Sequence, residues 1–180
     1  MEHGRPVDDA GDGGRVVLRR TSADDRDEFI GLARASGDLH HPWVWVPTTE
    51  QGFEEYLARF DQVAAVGFVV CLRKTGAIAG FVSISRIERG SYEKGVLGYG
   101  AFTPHEGRGY MTEGVALAVR HGFERLGLHR LEADIQPGNT ASLSLAAKVG
   151  LRREGFSPKL IRIEGVWRDH ERWAIVDDRS

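Results

Sequence analysis

The 180-residue sequence contains one cysteine, Cys71, so no disulfide can form within the chain. Cys71 lies in an apolar run, residues 67–72, which favours a buried, unreactive thiol over a nucleophile. No apolar stretch approaches the ~18–20 residues of a membrane span, and the N-terminal residues lack the apolar core of a signal peptide. We therefore expect a cytoplasmic protein that does not engage the membrane.

The sequence also lacks an excess of charge of either sign. It has 24 Lys+Arg and 26 Asp+Glu, a formal net charge of −2, which argues against direct nucleic-acid binding because that needs a basic surface. The length suits one domain. Residues 1–14 are rich in Gly and Asp and almost free of large apolar side chains, so we expect a flexible tail there and the domain in residues 15–180.

Periodicity and turn residues divide the domain into alternating elements. Their order is strand, two helices, three strands, helix, strand, helix and two strands, which predicts a mixed α/β (α+β) sheet with helices on both faces. The first two helices begin at caps, Thr21 or Ser22 and Thr48 or Thr49. The other elements are predicted as strands at residues 16–20, 67–73, 77–87, 96–102, 131–135, 152–163 and 166–176, and helices at residues 109–126 and 139–149.

The most informative segment joins the fourth predicted strand to the strongest helix. Gly107, Arg108 and Gly109 stand directly before that helix, whose first amides have no partner within it and carry partial positive charge. Glycines let the backbone approach an anion closely, so a pyrophosphate bound by the amides, with Arg108 as a counter-charge, is one interpretation. An ordinary glycine turn is the other. The Lys-Ser/Thr of a P-loop and the third glycine of a dinucleotide fingerprint are both absent.

Three motifs in order resemble one known family. Residues 106–113 resemble the acetyl-CoA pyrophosphate loop of GNAT-superfamily N-acetyltransferases, and Gly107-Arg108-Gly109-Tyr110-Met111-Thr112-Glu113 is similar to the RimJ/RimL-type group that acetylates the N-termini of ribosomal proteins. Residues 129–133 and 137–142 resemble that group's strand and Asn-x-x-Ser turn, and residues 150–155 and 165–170 its terminal hairpin. Glu106, where the family has Gln or Arg, and Met111, where Gly or Ala is usual, depart from the pattern.

The resemblance implies a mostly antiparallel sheet of about seven strands with a V-shaped splay between the fourth and fifth. It implies acetyl-CoA as a co-substrate and no metal. Ser142 would protonate the departing thiolate, and Asn139 would lie near the cofactor, cap its helix, or do both. The cofactor-binding residues implied are Ala101, Phe102 and Thr103 through their backbone, then Gly107, Arg108, Gly109, Tyr110, Met111, Thr112, Asn139 and Ser142.

The general base is the open question. Some relatives use a Glu at the position that is Ile161 here, and isoleucine cannot accept a proton. Glu93 is the catalytic candidate, with an ordinary solvated loop residue as the alternative. His105, His41, Asp169 and ordered water are further candidates. An α-amine, with a pKa near 7.7–8.0 against about 10.4 for lysine, is already partly neutral, so a site without a strong base favours an N-terminus.

Residues 40–45 are expected to border the acceptor site, with His41, Trp43 and Trp45 contacting the substrate. Burial of both tryptophans in the core is the alternative, and adjacent histidines make a poor metal site. We therefore predict an acetyl-CoA-dependent N-acetyltransferase that acts on the α-amine of a protein or peptide N-terminus. The alternatives are a small-molecule amine or antibiotic acceptor, a non-catalytic acyl-CoA-binding module and, more weakly, a nucleotide-binding protein. A homodimer is compatible with the tryptophan-rich loop.

Overall fold

The computed structural model describes residues 8–9 and 14–179. These residues form one sheet in the order β1-β2-β3-β4-β5-β6-β8-β7. Its strands are β1 (Asp8–Asp9), β2 (Val16–Arg20), β3 (Val66–Leu72), β4 (Ile78–Glu88), β5 (Lys94–Ala101), β6 (Arg130–Ile135), β7 (Arg152–Ile163) and β8 (Val166–Val176). The helices are α1 (Arg26–Ala35), α2 (Gly37–His40), α3 (Glu50–Ala58), α4 (Tyr110–Glu124) and α5 (Thr140–Val149), with a 3₁₀ turn at Ala23–Asp25.

The predicted mixed sheet is confirmed, and the seven predicted strands are β2 to β8. The short strand β1 pairs antiparallel with β2 and falls within the segment predicted as a flexible tail. The remainder of that segment, residues 1–7 and 10–13, lies outside the described residues. The sequence does not predict α2, because a single helical turn is too short to show a period.

The splay between the fourth and fifth predicted strands is also confirmed. These strands, β5 and β6, are the parallel pair in a sheet whose other described neighbours run antiparallel. Their pairing stops at Val96 opposite Glu132, although β5 continues to Ala101 and β6 to Ile135. The two strands therefore diverge, and the inner edge of β5 loses its neighbour.

Apolar side chains fill a layer on each face of the sheet. On one face, α1 and α3 pack an aromatic cluster that includes Phe29, Phe53 and Phe102, each no more than 1% exposed. On the other face, α4 lies close to the sheet because it carries glycines at the contact points. A Cβ at Gly114 would come within 2.5 Å of a Val70 methyl group. This close packing fixes the N-terminus of α4 beside the end of β5.

The terminal hairpin is built as predicted. Strands β7 and β8 join at Glu164 and Gly165, whose φ angles are +48° and +83°. Two consecutive positive φ angles match the type I′ turn that favours right-twisted hairpins. Within the described part of the chain, no helix is both long and apolar enough to span a membrane.

Candidate active site

A cavity of about 480 Å³ opens where β5 and β6 diverge. Its walls come from α2 and the following loop, from the end of β5 with the glycine loop and the start of α4, and from α5. The lining residues are Asp38, Leu39, His40, Trp43, Val44, Tyr99, Gly100, Ala101, His105, Glu106, Gly107, Gly109, Tyr110, Met111, Thr112, Asn139, Ala141, Ser142, Ser144, Leu145 and Lys148. Of the three motifs that carry the family resemblance, the glycine loop and the turn with Asn139 and Ser142 line this cavity. The third motif forms the β7–β8 hairpin.

The glycine loop presents an unsatisfied helix N-terminus to the cavity. Gly107 and Gly109 have φ angles of +72° and +80°, in the left-handed region that side chains other than glycine rarely enter. Gly109 is the N-cap of α4 and has no side chain to bond the helix's first amides. These amides, with the exposed side chain of Arg108 beside them, fit a pyrophosphate group.

The side chains of the residues that follow the loop differ in direction. Tyr110 and Thr112 are half-buried and line the cavity. Met111 is 8% exposed and packs on Gly80, where a Cβ would lie 2.3 Å from the Met111 sulfur. Met111 can therefore offer its backbone amide to a cofactor, while its side chain belongs to the core.

Glu106 occupies the motif position at which the family has Gln or Arg. Its carboxylate is exposed to solvent and accepts a hydrogen bond from the Thr103 hydroxyl at 3.3 Å. Solvent and this hydroxyl stabilise the negative charge of Glu106, which lines the cavity.

Ser142 and Tyr99 form a hydroxyl pair across the splay. The Ser142 hydroxyl donates to the Tyr99 Oη at 3.1 Å, and Tyr99 Oη donates to the Ser142 carbonyl oxygen at 3.2 Å. Asn139 caps α5, because its Oδ1 accepts a hydrogen bond from the Ser142 amide at 3.2 Å. Burial raises the pKa of Tyr99, and its hydrogen bond with Ser142 opposes that rise. Tyr99 therefore stays protonated at neutral pH and can donate a proton.

The backbone at the end of β5 is largely engaged by the protein itself. The carbonyl oxygen of Ala101 accepts a hydrogen bond from His40 Nε2 at 2.8 Å, and the Thr103 amide donates to Ser36 Oγ at 3.0 Å. The Phe102 amide donates to Ala79 O at 2.9 Å, and the Phe102 side chain is fully buried. The Ala101 carbonyl and the Thr103 amide, expected to bind pantetheine, thus already have protein partners.

Open backbone groups lie slightly earlier on the same strand. Glu93 O accepts from the amides of His129 and Arg130, at the entrance to β6. Because strand backbone groups alternate in direction, Leu97 and Tyr99 also point theirs toward the β6 side. No described residue of β6 pairs with Tyr99. The splay therefore leaves the backbone of Tyr99 open to the cavity.

His40 is a buried imidazole in the cavity wall, 6% exposed. Because a carbonyl oxygen only accepts, the hydrogen bond to Ala101 O requires the proton on Nε2. Burial lowers the pKa of His40, and the bond to Ala101 opposes that change only in part. His40 is therefore neutral at pH 7 and joins the α1–α2 segment to the end of β5.

The three predicted substrate residues occupy different environments. Trp43 lines the cavity and lies against Gly138, where a Cβ would come within 3.1 Å of its ring. His41 is exposed, and its Nδ1 lies 2.9 Å from the Glu164 carboxylate at the hairpin tip. Trp45 is 44% exposed, lies outside the cavity lining, and has the Arg59 guanidinium over its ring at 5.2 Å. Neither alternative, substrate contact by both tryptophans or burial of both in the core, describes this arrangement, since Trp43 lines the cavity and Trp45 lies at the surface.

Glu93, the candidate base, lies at the opposite end of β5 from the cavity, roughly 25 Å along the strand from Ala101. It closes the β4–β5 turn, where its carboxylate accepts from the Gly90 amide at 2.8 Å and from Arg89 at 3.1 Å. The hydrogen bond from Arg89 lowers the pKa of Glu93, with a further contribution from Gly90. A carboxylate so placed, and so weakly basic, cannot reach an amine in the cavity.

The remaining positions considered for the base, Ile161, Asp169 and His105, lie in different places, and of these only His105 lines the cavity. Ile161 is half-buried and pairs with Arg168 across the hairpin. Asp169 accepts from the Lys159 amide at 2.8 Å and lies outside the cavity lining. His105 lines the cavity, with its ring 6.3 Å from that of Tyr110. Among the described residues, no group of three His, Cys, Asp or Glu could hold a metal ion.

The sequence places residues 40–45 beside the acceptor site, but it does not single out Tyr99 or the hydrogen bonds of His40 and Ser36 to the end of β5. Tyr99 lies on a predicted strand, and its partner Ser142 is 43 positions away, so only the tertiary fold reveals the contact. Ser36 and His40 share one side of a helical turn at spacing i, i+4, which is the one local signal that could have linked them.

Comparisons with known proteins agree with this geometry. The model of the acetyltransferase (GNAT) domain family matches residues 15–152. The probable N-acetyltransferase YjcK of Bacillus subtilis is 31% identical over 173 residues, covering 92% of this chain and 96% of that protein. The chain therefore belongs to the GNAT family, whose members use acetyl-CoA, and is an N-acetyltransferase.

Two relatives indicate a narrower group. The ribosomal protein uS5-alanine N-acetyltransferase of Escherichia coli is 34% identical over 99 residues, covering 55% of this chain and 51% of that protein. The structure of Mycobacterium smegmatis RimJ in complex with CoA-disulfide superposes with a TM-score of 0.83 at 26% identity. That match covers 91% of this chain and 83% of the RimJ chain. RimJ/RimL-type enzymes are thus among its relatives.

Proposed function

We propose that this enzyme transfers the acetyl group of acetyl-CoA to the α-amine of a protein or peptide N-terminus. The observation that carries the proposal is the Ser142–Tyr99 hydroxyl pair, which lies in the same cavity as the glycine loop. The glycine loop can hold a pyrophosphate, and the Ser142–Tyr99 pair can supply a proton. The relationship to the uS5-alanine N-acetyltransferase supports an N-terminal acceptor.

The amides from Gly107 to Thr112 would bind the pyrophosphate, with Arg108 as a counter-charge. The open backbone of Tyr99 on β5 would bind the pantetheine arm. Asn139, which caps α5, would hold the Ser142 turn in place beside it. These assignments use backbone groups that lack a strand partner, so binding does not require breaking the sheet.

The acetyl group moves when the amine nitrogen attacks the thioester carbon, forming a C–N bond as the C–S bond breaks. In the free enzyme Ser142 Oγ donates to Tyr99 Oη at 3.1 Å. During the reaction the Ser142 proton would turn to the departing thiolate, Tyr99 Oη would give its proton to Ser142, and solvent would reprotonate Tyr99. A phenol is a stronger acid than an alkyl hydroxyl, so the relay makes Tyr99 the source of the proton. The proton lost from the amine leaves to solvent.

The acceptor preference follows from the bases that the cavity offers. Its lining carboxylates, Asp38 and Glu106, are both solvent-exposed, which leaves His105 and ordered water as the base candidates there. At pH 7.4, about a fifth to a third of α-amines are neutral, whereas only about one lysine in a thousand is. A site with this lining therefore acts best on an amine that arrives partly neutral.

The experiment is a thiol-release assay with acetyl-CoA and a panel of N-terminal peptides and small amines. Ser142→Ala should lower kcat by about 100-fold or more, because general acid–base catalysis contributes about 10²–10⁴-fold. Tyr99→Phe should lower kcat less, since Ser142 can still donate a hydrogen bond. Ser144→Ala is the matched control, as Ser144 lines the same cavity on the same helix.

The affinity for CoA should stay within about two-fold of wild type in all three variants, which separates catalysis from binding. An unchanged kcat in Ser142→Ala would show that Ser142 is not the general acid. No thiol release with any amine, despite CoA binding, would favour a non-catalytic acyl-CoA-binding module. Turnover confined to small amines would exclude the peptide acceptor.

A further inference from the structure

One arginine far from the glycine loop in sequence is bound closely against it in the fold. Arg15, just before β2, donates through Nη1 to the Arg108 carbonyl oxygen at 3.0 Å. Its Nη2 is also the atom that a Cβ on Gly109 would meet at 3.0 Å. The guanidinium thus bonds one residue of the loop and touches the next.

The same side chain binds the carboxylate in the first turn of α4. Arg15 Nε donates to Glu113 Oε1 at 2.5 Å, and the Arg15 backbone amide donates to Glu113 Oε2 at 3.0 Å. Its guanidinium also lies over the Tyr110 ring, 4.8 Å from the ring centroid. A planar guanidinium can make several directed bonds at once, which a lysine ammonium cannot reproduce.

Glu113 makes this arrangement necessary for an anion site. A carboxylate in the first turn of a helix is attracted to the N-terminal end of the helix dipole. It would therefore compete with a phosphate for the positive end of α4 and repel it. Arg15 holds both oxygens of Glu113 and cancels its charge, so the first amides of α4 stay available.

We propose that Arg15 is a positioning residue for cofactor binding, which fixes the Arg108–Gly109 backbone and neutralises Glu113 so that the start of α4 can hold the CoA pyrophosphate. This inference rests on the proposed use of acetyl-CoA. Arg15 acts through the loop and the helix, and its guanidinium is already committed to protein partners on three sides.

The test is the dissociation constant for CoA, measured by calorimetry on the full chain. Arg15→Met should weaken binding by about ten-fold, the effect expected from losing several charge-assisted hydrogen bonds that shape the loop. Arg15→Lys should fall between wild type and Arg15→Met, because it keeps the charge but not the fork. Arg179→Met is the matched control, since Arg179 pairs with Glu124 at the far end of the same helix and is similarly exposed.

Glu113→Gln tests the neutralisation of Glu113 in the background of Arg15→Met. Without Arg15 the Glu113 carboxylate is left to repel the phosphate, so the Arg15→Met, Glu113→Gln double variant should bind CoA more tightly than Arg15→Met alone. Arg15→Lys keeps the proposal testable if Arg15→Met folds poorly, which thermal unfolding would reveal.

A second readout uses acetyl-pantetheine, which carries the thioester without the pyrophosphate. Arg15→Met should leave kcat/KM for acetyl-pantetheine unchanged while lowering it for acetyl-CoA. Equal CoA affinity in wild type and Arg15→Met, or a double variant that binds CoA no more tightly than Arg15→Met, would overturn the role of Arg15. If the wild-type protein itself fails to bind CoA, the proposed function fails, and this result is distinct from the two outcomes that would overturn the role of Arg15.

Discussion

A methyl group added at Gly109 tests the glycine loop most sharply. This residue has a φ of +80° and caps α4, and a Cβ there would meet Arg15 Nη2 at 3.0 Å. The end of a flexible arginine can move aside, so the main penalty is the left-handed backbone, which costs about 1–2 kcal/mol for a residue with a Cβ. In Gly109→Ala the free loop relieves that strain by leaving its observed conformation.

Binding of CoA must then restore the conformation, so the penalty appears in the affinity. A cost of about 1–2 kcal/mol corresponds to a dissociation constant raised by about 5- to 30-fold. Calorimetric titration with CoA measures this directly, and a thermal unfolding curve shows whether the variant remains folded.

Gly127→Ala is the matched control. Gly127 has a φ of +65° and would find no atom within 4 Å of a Cβ, so it carries the same kind of strain. It lies beyond the other end of α4, about 22 Å along the helix from the loop. Its CoA affinity should equal that of wild type. If Gly109→Ala binds CoA within two-fold of wild type, the loop does not hold the cofactor through this conformation.

Three further predictions concern buried groups. Burial lowers the pKa of His40, so as the pH falls the unfolded chain takes up a proton before the folded one, and the free energy of unfolding of the wild type should fall below about pH 6.5. In urea unfolding, His40→Gln should lose less stability over the same pH range, and an equal loss would contradict this. Cys71 is 3% exposed and burial raises its pKa to about 11, so an aromatic disulfide reagent should label it only after unfolding, and rapid native labelling would contradict the burial. Gly80→Ala places a Cβ 2.3 Å from Met111 Sδ and 2.5 Å from Gly100 O, so the free energy of unfolding should fall by about 1–3 kcal/mol; adding Met111→Ala should not restore it, because the carbonyl remains, and full rescue would refute the packing.

Local patterns in the sequence were enough to predict most of the fold. The hairpin strands β7 and β8 have the predicted bounds because Gly165 marks their turn, and the predicted caps Thr49 and Asn139 begin α3 and α5. Each of these signals acts within a few residues. The short helix α2 has no such signal, and it forms through tertiary contacts.

The site was less predictable, since its contacts join distant segments. The sequence indicates the glycine loop, Asn139 and Ser142, all of which line the cavity. It does not reveal that Tyr99 bonds Ser142, or that His40 occupies the Ala101 carbonyl. Such contacts depend on how α2, β5 and α5 pack together, which periodicity does not encode.

The most direct test of the central claim uses one peptide that carries both kinds of amine, a free N-terminus and an internal lysine. The enzyme is incubated with this peptide and acetyl-CoA near pH 7.4, and tandem mass spectrometry locates the added acetyl group. The account predicts a single acetyl group on the N-terminal nitrogen, with release of one thiol for each peptide modified. Acetylation of the lysine in preference to the N-terminus, or no acetylation while CoA binds, would contradict it.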